Sequence, residues 1–206
     1  MSTALDPARG SDRARRLPPD ERRDLLLDAA ARLFARQPYA EVSTTAIARE
    51  AGVARGLLNH YFRDKRGLYL EVVRRAVLLP VLAELPTTIT GPVEERVEVA
   101  VRWFLDSVEP QVASYLTVVG SEGLGDDPEV AGILAEADDL AARRVLQLMG
   151  LDADDDLART QVRCYGGLAK ATVREWARDG HLDRPQAHRL LREVLLLLVR
   201  DVLPHP

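Results

Sequence analysis

A chain of 206 residues suffices for one ordinary domain or two small ones sharing a core, and for nothing larger. With 47% hydrophobic and 29% charged residues it is composed like a soluble globular protein, which excludes a disordered tail, a collagen and a membrane-embedded chain. The net charge of −4 conceals an asymmetry: residues 1–75 carry 15 Lys or Arg against 10 Asp or Glu, and the other 131 carry 13 against 22. The N-terminal end therefore either suits a polyanion or presents a solvated basic face. Apolar runs such as Leu195 to Val199 fall well short of the roughly 20 residues that span a bilayer, and no apolar stretch follows the charged N-terminus. A cytoplasmic chain without membrane contact is expected. Cys164 is the only cysteine, which rules out an intramolecular disulfide and a cysteine zinc cage.

Aromatics are scarce and Ala, Leu, Arg and Glu recur at helical spacing from end to end, so the expected fold is all-α with about nine helices. Residues 1–17, rich in Arg, Asp and Ala, read as a mobile tail. A first helix opens at Pro18-Pro19, carries Leu26, Ala29, Ala30, Leu33 and Phe34 on one stripe, and stops at Gln37-Pro38. Ser43 or Thr44 caps a short second helix that Gly52 ends, and a third runs through Leu57 and Leu58 to Phe62. Asp64 opens the fourth, which carries Leu68, Val72, Arg75 and Leu79 and is expected to end before Pro80.

Beyond it, Gly91-Pro92 opens a helix through Trp103 and Ser107, and Pro110 a short one to Val119. Ser121 to Asp127 reads as a loop. Asp127-Pro128-Glu129 is a strong helix start, the carboxylate capping and the proline occupying the first turn; that helix ends at Gly150. Asp154 to Asp156 open a long helix through Cys164, Leu168 and Trp176 to Gly180. Asp183-Arg184-Pro185-Gln186 opens the last as a capping box.

Function concentrates between Thr44 and Lys65. In a helix-turn-helix the first helix needs a small residue where the second crosses it, the turn needs glycine, and the second helix must place apolar residues inward and polar ones toward a groove. Ala48 is the small contact, Gly52 the turn, and Ile47, Val53 and Leu58 the shared core. Arg55, Gly56, Leu57, Asn59 and His60 are left facing outward, as a reader of the DNA major groove requires.

The stretch Val42-Ser43-Thr44-Thr45-Ala46-Ile47-Ala48, then Ala51-Gly52-Val53, then His60-Tyr61-Phe62-Arg63-Asp64-Lys65 with Leu68, resembles the TetR family of bacterial transcriptional regulators. The preceding Leu25-Leu26-Leu27-Asp28-Ala29-Ala30-Ala31-Arg32-Leu33-Phe34 is similar to that family's first helix. The resemblance covers about residues 20 to 75. It implies a homodimer that binds double-stranded operator DNA through residues 18–66, a connecting helix over 67–80, and a helical domain over 81–206 that binds a small effector and dimerises. It places Thr44, with Thr45 beside it, and Lys65 at phosphate contacts, has Arg55 and Gly56 open the recognition helix, and puts His60 and Tyr61 against the DNA backbone. Ala54 stands where the family often has a capping serine, and Leu57 and Asn59 where it often has threonine and tyrosine. The base-reading surface is thus this chain's own: Asn59 can pair with adenine, while Leu57 can touch a thymine methyl or pack.

Other patterns carry less. Asp152-x-Asp154-x-Asp156 imitates the start of a calcium loop, but Leu157 stands where glycine is needed and Arg163 where a bidentate glutamate is needed. Gly120-Ser121-Glu122-Gly123 lacks the first glycine and the strand of a nucleophile elbow. The four histidines show no metal-binding spacing with carboxylates, and Cys164 reads as a small core residue. No metal, cofactor or catalytic group is expected. A helical enzyme is disfavoured because no nucleophile, base and orienting group occur together; a DNA-binding architectural protein without ligand control remains the other alternative. For the effector, Trp103, Phe104, Ser107, Tyr115, Val119, Cys164 and Leu168 are the candidate cavity residues. The last two helices are apolar on more than one face, so Gly166, Gly167, Val173, Leu191, Val194, Leu195 and Leu198 are the expected contacts of a two-fold four-helix bundle. The fourth helix alone is expected to feel both DNA and ligand.

Overall fold

A computed structural model describes residues 18–82, 91–119 and 127–203. Among these the chain is all-helical, with nine α-helices. The tail expected over residues 1–17 and most of the Ser121 to Asp127 loop lie outside the described residues.

Local chemistry accounts for most boundaries. Helix α1 (Pro19–Phe34) starts with Pro in its first turn and Asp20 and Glu21 against the helix dipole. Helix α2 (Thr44–Glu50) is capped by Ser43, whose Oγ accepts the Ala46 N–H at 3.0 Å. Helix α3 (Gly56–Phe62) follows after Gly52, which adopts φ +67°, a left-handed conformation that glycine reaches without strain. Helix α4 spans Lys65–Leu82, so the expected stop before Pro80 is not observed. A proline this close to a helix end forfeits only one backbone hydrogen bond, and the helix continues through it.

Helix α5 (Val93–Val108) passes through a 3-10 turn (Glu109–Gln111) directly into α6 (Val112–Val119). Helix α7 (Pro128–Met149) is capped by Asp127 and ends at Gly150 with φ +70°. Helix α8 (Asp156–Ala177) is capped by Asp155. Helix α9 (Arg184–Leu197) opens on the expected capping box: Asp183 accepts from the Gln186 backbone, and the Gln186 side chain accepts from the Asp183 backbone. A single π-turn, Leu198–Val202, extends it.

Two principal cores form. The first joins Leu26, Ala30 and Phe34 of α1, Ile47 of α2, Leu58 and Phe62 of α3 and Leu68, Tyr69 and Val73 of α4. It also takes in Val130, Ile133 and Ala137 of α7. The second is built by α5, α7, α8 and α9 around Val97, Leu105, Leu146, Val162, Leu191 and Leu195. Full burial of each leucine here contributes roughly 1.5–3 kcal/mol. Helix α7 therefore belongs to both cores, whereas α4 contributes to the first alone, so α4 is not the only element placed between the two halves.

Candidate DNA-reading surface and ligand cavity

The helix-turn-helix is assembled from inside out. Ile47 and Ala48 of α2, Ala51 just after it, and Leu58 and Phe62 of α3 are buried, and the turn is closed by Val53 N–H donating to the Ala48 carbonyl at 3.0 Å. Half-buried Val53 and Leu57 pack against the same core, so packing holds at least part of the Leu57 side chain. Thr45, Arg55, Gly56, Asn59 and His60 are exposed, while Thr44 and Tyr61 are half-buried. The Tyr61 ring meets His60 edge-on at 5.0 Å. No side chain caps α3, in keeping with alanine at position 54. Among the described residues the exposed guanidinium groups of Arg49, Arg55 and Arg63 enter no ion pair. Arg49 and Arg63 had not stood out in the sequence because isolated arginines recur throughout it.

Between α3 and α4 the backbone makes an unusual corner. Arg63 sits at φ +67°, ψ −54°, and Asp64 N–H donates back to the Phe62 carbonyl at 2.7 Å, which defines a γ-turn centred on Arg63. Arg63 is the one non-glycine residue with positive φ among those described, a conformation that stores strain and persists only if its surroundings fix it. Two neighbours do. Asp64 Oδ1 accepts the Gly67 N–H at 2.7 Å, and Gly67 lies so close to the corner that a Cβ there would stand 2.3 Å from the Phe62 carbonyl oxygen.

Lys65 is half-buried and engaged. Its ammonium donates to the carbonyls of Tyr39 and Val42, each at 2.9 Å, and lies 4.2 Å from the centre of the Tyr39 ring. Tyr39 in turn stacks on Phe34 and meets Tyr69 edge-on. Burial, followed by the Asp64 carboxylate, raises its hydroxyl pKa. Lys65 thus ties the start of α4 to the segment before α2.

A cavity of about 100 Å³ lies between α4, α5, α6, α7 and α8. Of the seven expected residues, Trp103, Phe104, Ser107 and Tyr115 line it. Cys164 does not: it is exposed, on the far face of α8, because its neighbours Val162, Arg163, Tyr165 and Gly166 turn inward instead. Leu168 packs against the second core without reaching the cavity, and the Val119 side chain lies outside the described residues. Unforeseen contributions come from Leu134, Ala137 and Asp138 of α7 and from Tyr165 and Lys170 of α8. The wall is mostly apolar, and its charges are paired. Lys170 Nζ donates to Asp138 at 2.6 Å, and Arg163 to Asp139 at 3.0 Å. Burial, with a smaller push from Asp138, raises the Tyr115 hydroxyl well above an ordinary phenol. The Trp103 indole Nε1–H is buried and has no hydrogen-bond partner among the described residues.

The profile described as bacterial regulatory proteins, tetR family, matches residues 26–72. The chain is also 31% identical over 184 residues to the HTH-type transcriptional activator FasR of Mycolicibacterium smegmatis, covering 87% of this chain and 81% of that one. It belongs to the TetR family. The regulator BetI of Escherichia coli is similar at 30% identity over 84% of this chain and 92% of its own. A tetR-family transcriptional regulator structure from Streptomyces coelicolor shares the fold with a TM-score of 0.66 at 24% identity, covering 85% of this chain and 78% of that one. This TetR-family chain is a DNA-binding transcriptional regulator and not an enzyme.

The expected dimer contacts divide. Val173, Leu191 and Leu195 are buried within their own protomer and are unavailable to a partner; Gly166 faces the cavity. Gly167 is exposed, and Val194 and Leu198 are half-buried. Among the described residues the large exposed apolar side chains are Leu157 at 63%, Leu190 at 40%, Leu197 at 57% and Val202 at 45%, all on α8, α9 or the turn that follows. One cluster of possible metal ligands occurs among the described residues, Glu175, Asp179 and His181. The sequence spacing had hidden it, because Gly180 at φ +69° folds His181 back to 2.8 Å from Glu175. These groups are mostly exposed, and the hydrogen bond that His181 donates to the Glu175 carboxylate raises the imidazole pKa, as an ordinary ion pair does. No helix among the described residues is long and apolar enough to cross a membrane.

Proposed function

We propose that the chain is a one-component repressor that binds a palindromic operator as a homodimer in the bacterial cytoplasm and lets go when a small molecule fills the cavity. The observation that carries this reading is that Val77 of α4 and Ala137 of α7 belong at once to the core of the DNA-binding unit and to the cavity wall. A ligand that widens the cavity pushes directly on the packing that orients α3. On the DNA, Thr44, Thr45, His60, Tyr61 and Lys65 would meet phosphates, and Arg55, Gly56, Leu57 and Asn59 would face base edges. Release follows only from a difference in ligand affinity between the two states, and linkage requires bound operator to weaken ligand binding by the same factor.

The test is a reporter assay with an inducer found by screening, run beside operator titration. Trp103→Ala and Tyr115→Ala are expected to leave operator binding within about twofold while abolishing induction, a full effect for a lost sensor contact. Full response in both variants rejects the cavity as the effector site. Activation is a second reading, favoured by the similarity to FasR, a transcriptional activator. In vitro transcription from the native promoter with purified protein separates the two, since a repressor lowers and an activator raises transcript yield.

A further inference from the structure

Resting on the reading of the cavity as the effector site, we infer that its ligand is an electrically neutral, largely apolar molecule carrying one carbonyl-type oxygen, held by a hydrogen bond from the Trp103 indole. A buried donor without a partner is unfavourable, and few persist in folded proteins without a reason. Trp103 Nε1–H is such a donor, and Trp103 forms part of the cavity wall. An entering acceptor would satisfy it.

The charge of the ligand follows from what the cavity has left to offer. Lys170 is matched by Asp138 at 2.6 Å and Arg163 by Asp139 at 3.0 Å. An anion must compete with Asp138 for Lys170 and a cation must compete with Lys170 for Asp138; either leaves one charge poorly paired beside an apolar wall, a strongly unfavourable arrangement. The remaining polar capacity is neutral and donating. The Ser107 and Tyr165 hydroxyls already donate to the Phe104 and Leu191 carbonyls, which leaves as donors the Trp103 N–H and the Tyr115 hydroxyl, whose proton burial holds in place. A ketone or ester oxygen accepts from such groups and brings no charge, and its hydrocarbon part replaces water along Val101, Phe104 and Leu134.

The test uses the chain's own fluorescence. Trp103 and Trp176 are the two tryptophans, so Trp176→Phe leaves Trp103 as the sole indole reporter in the full-length protein. Three probes of one chain length are titrated: 2-heptanone, heptanoate and heptylammonium. The ketone is expected to bind saturably with a red shift of Trp103 emission, at least tenfold tighter than either charged probe. In calorimetric titration of the otherwise unaltered protein, Trp103→Phe keeps the apolar surface, loses the donor, and is expected to weaken 2-heptanone about tenfold, while a thermal melt confirms that it folds. Tighter binding of heptanoate or heptylammonium, equal binding of the ketone by Trp103→Phe, or no binding of the ketone would each overturn the inference.

Operator release is scored separately on a duplex selected by the purified protein from a randomised pool. Ketone binding in the expected order without any change in operator affinity upholds the ligand chemistry and rejects the effector reading. Release by a charged compound that competes for the cavity does the reverse.

Discussion

Gly67 is the residue on which the corner below the recognition helix depends. A Cβ placed 2.3 Å from a backbone carbonyl oxygen cannot be relieved by turning a side chain, so the γ-turn at Arg63 must open. Gly67→Ala is expected to destabilise the protein by roughly 1–3 kcal/mol and to lower Tm by several degrees, read by calorimetry; an unchanged Tm would show that the corner yields freely. Lys65 and Asn59 are proposed to make two different kinds of DNA contact. If Lys65 reaches phosphate, Lys65→Ala weakens specific and non-specific binding alike and reduces the salt slope by about one, while the loss of its two carbonyl bonds also lowers Tm. Asn59→Ala leaves Tm unchanged and relaxes preference at one base pair by about 1–3 kcal/mol. Titration at several salt concentrations on matched and mismatched duplexes distinguishes them. None of the contacts around Gly67 was legible beforehand: a glycine three residues after a capping aspartate is an oddity in a first helical turn, but the carbonyl it avoids becomes visible only once the chain bends at Arg63.

At the scale of the element, α4 and α7 are fastened together at the ends nearest the helix-turn-helix. Arg66 Nε and Nη2 grip both oxygens of Asp127 at 3.0 and 2.9 Å, and Glu129 lies 2.9 Å from the same guanidinium. Asp127 also caps α7, accepting the Glu129 N–H. The clasp therefore joins the start of the helix beside the DNA reader to the start of the helix that walls the cavity. Arg66→Ala is expected to leave cavity binding intact while reducing the dependence of operator affinity on ligand, measured as the ratio of operator Kd with and without inducer; an unchanged ratio would show that coupling runs through α4 alone. Acid should act in the same direction. The backbone hydrogen bond from Glu129, and after it Arg66, holds the Asp127 carboxyl below its ordinary value of 3.8. The clasp is thus complete above that pH and is lost as the pH falls below it through the depressed value. The caps at Asp127 and Asp183 are legible, and those at Ser43 and Asp155 legible to within a residue, because capping is written within four residues. The clasp was not, since its partners are 61 residues apart and nothing local marks them.

At the scale of the whole molecule, the apolar excess of the last two helices resolves into an inner and an outer face. Leu191 and Leu195 close the protomer's own core, while Leu190, Val194 and Leu197, at helical spacing, form the outer stripe of α9, with Gly167 and Cys164 on the exposed side of α8. Periodicity showed that both faces were apolar but could not say which of them a neighbouring helix of the same chain would claim; that choice is made by the α5 and α8 packing. We propose the outer stripe as the two-fold contact. Leu197→Glu should leave the fold intact by circular dichroism and yield a monomer at micromolar concentration in sedimentation, with operator affinity lost because the recognition helices are no longer held roughly 34–36 Å apart. A persistent dimer would move the contact elsewhere.

The inward anchoring of α3 has a bearing on how such a protein changes its target over time. Leu58 and Phe62 secure the helix from below, and the exposed positions Arg55, Gly56 and Asn59 bear none of that structural burden. Space is open around Gly56, where an added Cβ would meet nothing within 4 Å. A duplicated copy of the gene could therefore acquire a new binding address through a few substitutions on that outer face, without compensating repairs in the interior and without altering the cavity in the other half of the molecule.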